Sequence, residues 1–127
     1  MRVEWSDDLL IGIAHIDEQH KGIFKLLDDL CTAIEDNRSY VVLKDTVWQL
    51  ASYSRIHFIA EENYMDIKGY SERYVHMGIH AEFHKTVLGY INRILEGDTS
   101  FALEVAKFVH NWLLTHISIE DMKLREL

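Results

Sequence analysis

Residues 43 to 65, LKDTVWQLASYSRIHFIAEENYM, decide how this chain folds. Their apolar residues recur with the period of a helix that buries one face, not with the alternation of a strand. The buried stripe is predicted to contain Leu43, Val47, Leu50, Ser54, His57, Glu61 and Met65. His57 and Glu61 are four residues apart, so both are expected to face the core from the same helix.

The rest of the chain predicts an all-α fold. Proline is absent, further stretches repeat the helical period, and the connections between them are short. We therefore predict an antiparallel up-down-up-down four-helix bundle forming a single domain over residues 1–127. Helices are expected at about residues 17–36, 40–67, 72–96 and 100–118, with Asp17 as the first N-cap. Residues 1–16 are predicted to form an apolar N-terminal arm packed across the bundle.

Composition and charge exclude several classes of function. The net charge of -8, without a basic cluster, argues against nucleic-acid partners and anionic membranes. The first residues do not resemble a signal peptide and no apolar run is long enough to span a membrane, so we predict a cytoplasmic protein. Because Cys31 is the single cysteine, nitrogen and oxygen atoms must provide the ligands of any bound metal.

Polar side chains converge at one end of the predicted bundle. In an antiparallel bundle, the start of the first and third helices meets the end of the second and fourth. That end receives His20, His57, Glu61, His76, His80 and His116. Burying such groups without partners costs roughly 1–3 kcal/mol each, so this layer needs a partner. A metal site satisfies the whole layer at once.

The ligand types favour a pair of iron ions. Imidazole and carboxylate without sulfur make iron prominent, and five histidines exceed the needs of one ordinary site. Asp121 is the candidate second bridging carboxylate beside Glu61. It lies five residues after His116, so the fourth helix must loosen over residues 117–120 for Asp121 to face inward. With a bridging oxygen, this set fills all but one position of two octahedral ions.

These residues also match a known family. The chain resembles the bacterial hemerythrins in Trp5 and IDEQHK (16–21), HFIAEE (57–62) with Met65, Tyr70 followed by HMGIH (76–80), and WLLTHISIED (112–121). The resemblance implies a non-haem centre of two iron ions with a bridging oxygen, bridged by Glu61 and Asp121. It implies that the metal ligands are His20, His57, Glu61, His76, His80, His116 and Asp121. Members of this family bind O2 reversibly at one of the irons.

The resemblance also implies an apolar O2 pocket. Leu113 matches a leucine that borders this pocket in the family. Further candidates for its wall are Ile23, Phe24, Phe58 and Trp112, although each alone is more simply explained as ordinary core packing.

Some polar residues lie near the predicted ligands without belonging to the set. His84 continues the His76 and His80 stripe by one turn, and we predict a hydrogen-bonded core histidine, with a role near the metals as the alternative. Glu62 directly follows Glu61, and Glu120 directly precedes Asp121. Both Glu62 and Glu120 are expected on the solvated surface. Cys31 is predicted to be a buried small apolar residue.

The predicted function is reversible O2 binding by a protein that is not an enzyme. Storage, delivery and sensing are all compatible with the sequence, NO is a possible second ligand, and the oligomeric state is open. The alternative is a di-iron oxidase or peroxidase, but ferritin-like oxidases need Glu-x-x-His motifs, which this chain lacks. Zinc fits poorly because seven ligands overfill a four-coordinate site. A metal-free interaction module leaves the inward histidines unexplained.

Overall fold

The structure is a computed structural model that describes residues 3–127, and this part of the chain is helical and contains no strand. Its helices are α1 (Ala14–Glu35), α2 (Ser39–Lys68), α3 (Arg73–Leu95) and α4 (Ala102–Trp112). A π-helix (Leu113–Glu120) and a 3₁₀ helix (Asp121–Glu126) continue directly from α4, and a short 3₁₀ helix (Asp7–Leu9) lies in the arm. The predicted all-α fold class is confirmed.

The start of α1 differs from the prediction. The helix begins at Ala14 with Ile13 as its N-cap, so Asp17 lies inside the helix and its assignment as N-cap was wrong. The Asp17 carboxylate instead accepts hydrogen bonds from the backbone N–H groups of Ile11 (2.8 Å) and Gly12 (3.2 Å). Gly12 has a φ of 90°, a conformation that favours glycine. Asp17 therefore ties the arm to the helix that follows it.

Tight turns bring successive helices into antiparallel contact. Gly69 ends α2 in the left-handed conformation with a φ of 64°, as a glycine after a helix commonly does. Helix α1 packs against both α2 and α4, and α2 packs against α3. The ends of the helices that carry the histidines therefore meet at one end of the bundle.

Two apolar clusters enclose the polar layer. The larger cluster includes Leu27, Leu30, Leu50 and Val105, and the smaller one consists of Ile11, Ile16, Met65 and Leu124. Along α2, the residues between Leu50 of the larger cluster and Met65 of the smaller one include His57 and Glu61. The predicted ligand layer thus lies between two buried apolar clusters.

The arm and the C-terminal segment close this end of the bundle. The Arg125 guanidinium donates hydrogen bonds to the backbone carbonyls of Leu10 (2.7 Å and 3.0 Å) and Asp8 (2.8 Å). Trp5 packs edge to face on Phe24 with ring centroids 5.4 Å apart. In the described part of the chain, no helix is both long enough and apolar enough to cross a membrane.

Candidate metal centre

Regular helical spacing places most of the predicted ligands. Helix α2 carries His57 and Glu61 one turn apart, α3 carries His76 and His80 one turn apart, and α1 carries His20 near its start. Each of these side chains is buried. The α-helical period therefore explains five of the seven predicted ligand positions.

The π-helix positions the remaining two predicted ligands, His116 and Asp121. His116 lies within it, and the Asp121 backbone N–H donates to the His116 carbonyl five residues earlier. Because a π-helix joins residues five apart, Asp121 lies about one turn beyond His116 and on the same side. The predicted loosening over residues 117–120 is confirmed, although the π-helix already begins at Leu113.

The side chains form two groups that share both carboxylates. One group consists of His20, His57, Glu61 and Asp121, and the other of Glu61, His76, His80, His116 and Asp121. Within each group, one potential ligand atom from every residue lies within 4.8 Å of the others. The structure therefore brings together all seven residues predicted as ligands.

Each carboxylate directs one oxygen to each histidine group. For Glu61, Oε2 lies 2.7 Å from His57 Nε2, and Oε1 lies 2.8 Å from His76 Nε2. For Asp121, Oδ2 lies 3.0 Å from His20 Nε2, and Oδ1 lies 2.9 Å from both His76 Nε2 and His116 Nε2. This is the arrangement in which two carboxylates bridge a pair of cations.

Several buried polar atoms of this layer have no hydrogen-bond partner, and they indicate whether cations fit between the two groups. Among the described residues, both carboxylate oxygens of Asp121 and Oε2 of Glu61 are buried without a hydrogen-bond partner. Their contacts with histidine are short but lack hydrogen-bond geometry, and the Nε2 atoms of His20 and His57 face each other at 3.0 Å. A buried, unsatisfied polar atom costs roughly 1–3 kcal/mol or more when charged. Two cations would satisfy these atoms together, so the residues fit a di-metal centre.

Electrostatics keeps the two carboxylates ionised. Burial opposes ionisation, but contacts with four imidazoles hold the pKa of Glu61 well below its ordinary range, and those with His116 and His20 lower the pKa of Asp121. Burial alone would lower the pKa of His20 and His76, yet the contacts with both carboxylates raise it to about 9 in each case. Without a cation, protonated imidazoles therefore balance the carboxylates.

Two hydrogen bonds orient ligand imidazoles from outside the cluster. His57 donates through Nδ1–H to Gln19 Oε1 at 2.7 Å, and His80 donates through Nδ1–H to Glu62 Oε2 at 2.9 Å. A proton on Nδ1 leaves the Nε2 lone pair free to bind metal. The expectation of a solvated surface position for Glu62 was wrong, because its side chain is only 27% exposed and contacts His80.

The family assignment agrees with this geometry. Residues 11–127 match the family model described as the Hemerythrin HHE cation binding domain. The chain belongs to the hemerythrin family. The hemerythrin family binds a di-iron centre, and the buried cluster of this chain is able to hold metal ions. Family membership and the buried cluster together indicate a non-enzymatic, O2-binding di-iron protein, and the oxidase alternative is not favoured.

Individual hemerythrins resemble the chain along most of its length. The bacteriohemerythrin of Pseudomonas aeruginosa strain UCBPP-PA14 is 32% identical over 117 residues, covering 92% of this chain and 75% of the relative. The bacteriohemerythrin of Clostridium acetobutylicum is 27% identical, covering 92% of this chain and 94% of the relative. The myohemerythrin of Theromyzon tessulatum is 28% identical, covering 96% of this chain and 90% of the relative.

Aromatic rings surround the ligands of this hemerythrin-family site. Phe58 stacks on His80 at 3.8 Å, Trp112 stacks on His116 at 3.9 Å, and Tyr53 stacks on His57 at 4.8 Å. The Trp112 Nε1–H donates to the Tyr53 hydroxyl at 3.3 Å. Sequence reasoning missed Tyr53, although it lies four residues before His57 and so shares its face of α2.

The other predicted pocket residues have different neighbours. Leu113 is fully buried beside Trp112, and Ile23 is buried next to a groove that also contacts His57. Phe24 is buried too, but the aromatic ring that it contacts is Trp5 of the arm.

His84 does not lie in the core of this hemerythrin-family bundle. It is exposed on α3, with Nδ1 at 3.4 Å from the Ser54 hydroxyl, and it lines a surface groove with Glu62 and His80. The prediction of a core histidine was wrong because the buried stripe of α3 continues through Phe83 and Val87 instead. Cys31 is buried as predicted, and Glu120 is half-buried and forms an ion pair with Lys123 at 3.1 Å.

Proposed function

We propose that this chain binds O2 reversibly at a di-iron centre bridged by Glu61 and Asp121. The observation that supports this most strongly is that each carboxylate directs one oxygen to each histidine group. The proposed ligands are His20 and His57 for one ion, His76, His80 and His116 for the other, and Glu61 and Asp121 for both. Residues 1–127 would then form a single O2-binding domain with an N-terminal arm.

The two metal positions are proposed to differ in how many ligands they receive. Both carboxylates serve both positions, but one position receives two imidazoles and the other receives three. If two six-coordinate ions shared one bridging oxygen, the position next to His20 and His57 would have one open place. When bound, the iron pair supplies the electrons and the coordination place for O2. NO, which is a diatomic of similar size, is proposed to compete for the same place.

The protein's contribution is to keep this open place dry. The ligand side chains are at most 2% exposed, and Leu113 and Ile117 beside them are fully buried. A dry, apolar surrounding withholds the water and protons that would otherwise displace or degrade bound oxygen. Burial, reinforced by the negative charges of Asp121 and Glu61, raises the pKa of Tyr53 well above its ordinary value. Tyr53 therefore remains a neutral phenol beside His57.

Optical spectroscopy tests the proposal directly. We expect anaerobically reduced, iron-loaded protein with about two irons per chain to gain visible charge-transfer bands on exposure to O2 and lose them on deoxygenation. A variant that combines Glu61→Ala with Asp121→Ala is the control and should show no such bands. Bands that persist after deoxygenation would contradict reversible binding. An iron content near one per chain would contradict the paired centre.

A further inference from the structure

A groove between α1 and α2 ends at one of the proposed ligands. It has a volume of about 290 Å³. Its buried floor consists of Ile23, Leu26 and His57, its exposed rim of Gly22, Gln49, Ser52 and Ile56, and Gln19 and Tyr53 lie half-buried between them. Most of its lining is apolar, so it suits a small uncharged molecule better than an ion.

The location of this groove matters because His57 belongs to the two-histidine group. Two other grooves also contact single ligand residues, but these residues belong to the other group. The groove between α2 and α3 ends at His80, and the one between α3 and the π-helix ends at His116. Both of those residues belong to the three-histidine group, whose proposed ion has no open place. The groove between α1 and α2 therefore leads to the side where a ligand can bind.

We propose that O2 enters and leaves the centre through the groove between α1 and α2, and that Gly22 keeps this route open. The proposal rests on the proposed function, since it concerns the path to the same centre. O2 is small, apolar and uncharged, which matches the lining of the groove. Gln19, whose amide oxygen accepts the hydrogen bond from His57, forms part of the wall that O2 passes.

Gly22 lies at the rim of the groove, and its backbone does not require glycine. It lies inside α1 and is not among the glycines with positive φ. A Cβ atom built at this position meets no atom within 4 Å. Glycine inside a helix costs about 1 kcal/mol relative to alanine. Gly78 and Gly89 inside α3 share these features, and Gly22 differs from them in lining this groove, which a large side chain at its position would fill.

The main test is to block the groove with Gly22→Phe. We expect the rates of O2 association and dissociation, measured by stopped flow, each to fall by about tenfold, while their ratio changes by less than about twofold. The ratio is preserved because the bound and free states of the centre stay the same. Gly22→Ala, which adds a single methyl group, should slow both rates less than Gly22→Phe does. Ile56→Trp blocks the groove from α2 and replaces Gly22→Phe should that variant fail to fold.

Matched controls and a second measurement separate this inference from the proposed function. Gly89→Phe makes the same change on an exposed face of α3 and should leave the rates unchanged. Xenon-pressurised crystals of the iron-loaded protein should contain xenon among Ile23, Leu26 and Ile56, and Gly22→Phe should exclude it. Wild-type rates in both groove-filling variants, or an empty groove under xenon, would overturn the proposed route. Absence of reversible O2 binding in the wild-type protein, with xenon still in the groove, would overturn the proposed function instead.

Discussion

Glu62 Oε2 accepts a hydrogen bond from His80 Nδ1 at 2.9 Å, which joins α2 to α3 directly behind the proposed iron ligands. The two residues are 18 positions apart in the chain. His57 has a neutral amide, Gln19, in the equivalent place. One proposed metal position is therefore supported by a carboxylate and the other by an amide, and a carboxylate would make its imidazole the stronger electron donor.

Removing the carboxylate behind His80 should weaken iron binding. We expect Glu62→Ala to lower the affinity for the ion at the three-histidine group by about 10–100-fold, because His80 loses both its orientation and its fixed tautomer. Glu62→Gln keeps an acceptor and should have a smaller effect. Chelator competition measures both changes. Glu82→Ala, which removes an exposed carboxylate from α3, is the control, and equal affinities in Glu62→Ala and Glu82→Ala would contradict the prediction.

Loss of Asp121 should reduce iron at both positions. Asp121→Ala removes one oxygen from each histidine group, so we expect iron content to fall from about two per chain to about one or fewer, together with the melting temperature of the loaded protein. Metal analysis and calorimetry give the two readings. Asp45→Ala, at an exposed position on α2, should retain both irons. Full iron content in Asp121→Ala would show that this carboxylate is not a bridge.

Metal loading should release protons near neutral pH. His20 and His76 each have a pKa of about 9 in the metal-free protein, so at about pH 7.5 both imidazoles are protonated and must lose their protons to bind metal. We expect release of about two protons per chain at that pH, declining as the pH rises beyond about 9. A pH indicator in weakly buffered solution measures the release. Metal binding without proton release at about pH 7.5 would contradict the raised pKa values.

The same pKa values set a pH window for the stability of the metal-free protein. The pKa values of His20 and His76 each rise from 6.5 to about 9 on folding. The contribution of these two imidazoles to the free energy of unfolding is therefore complete below pH 6.5 and is lost as the pH increases to about 9. Urea unfolding of metal-free protein should therefore show lower stability at about pH 9.5 than at about pH 6. The double variant His20→Phe/His76→Phe should lose this difference. A metal-free protein that is more stable at about pH 9.5 than at about pH 6 would contradict the raised pKa values of His20 and His76.

Leu113 should protect the centre from oxidation. Leu113→Ala removes a fully buried side chain beside the ligand layer and should cost about 2–5 kcal/mol of stability. Water entering the resulting cavity should also accelerate conversion of the oxygenated protein to its oxidised form. The loss of the absorption bands of the oxygenated protein measures the rate of this conversion. Leu30→Ala removes the same atoms from the main core. If both variants lose stability and oxidise at equal rates, the effect of Leu113 is only structural.

The sequence by itself determined the fold class and the inward direction of the ligand layer. Leu43, Leu50 and Met65 repeat at the helical period, so His57 and Glu61 on the same stripe had to face the core. Short turns made the helices antiparallel, which brought the histidine-bearing ends together. Even the π-helix was predictable, because Asp121 could join His116 only if the helical turn widened.

Only the tertiary structure decided which side chains meet across neighbouring helices. The contacts of Glu62 with His80 and of Gln19 with His57 depend on how far each helix is rotated and shifted along its neighbour. The same holds for His84, which is exposed although it lies four residues after the buried His80. Periodicity along one helix specifies a face about 100° wide, which is too coarse to choose the partner of a residue at its edge. That choice is made by packing between helices.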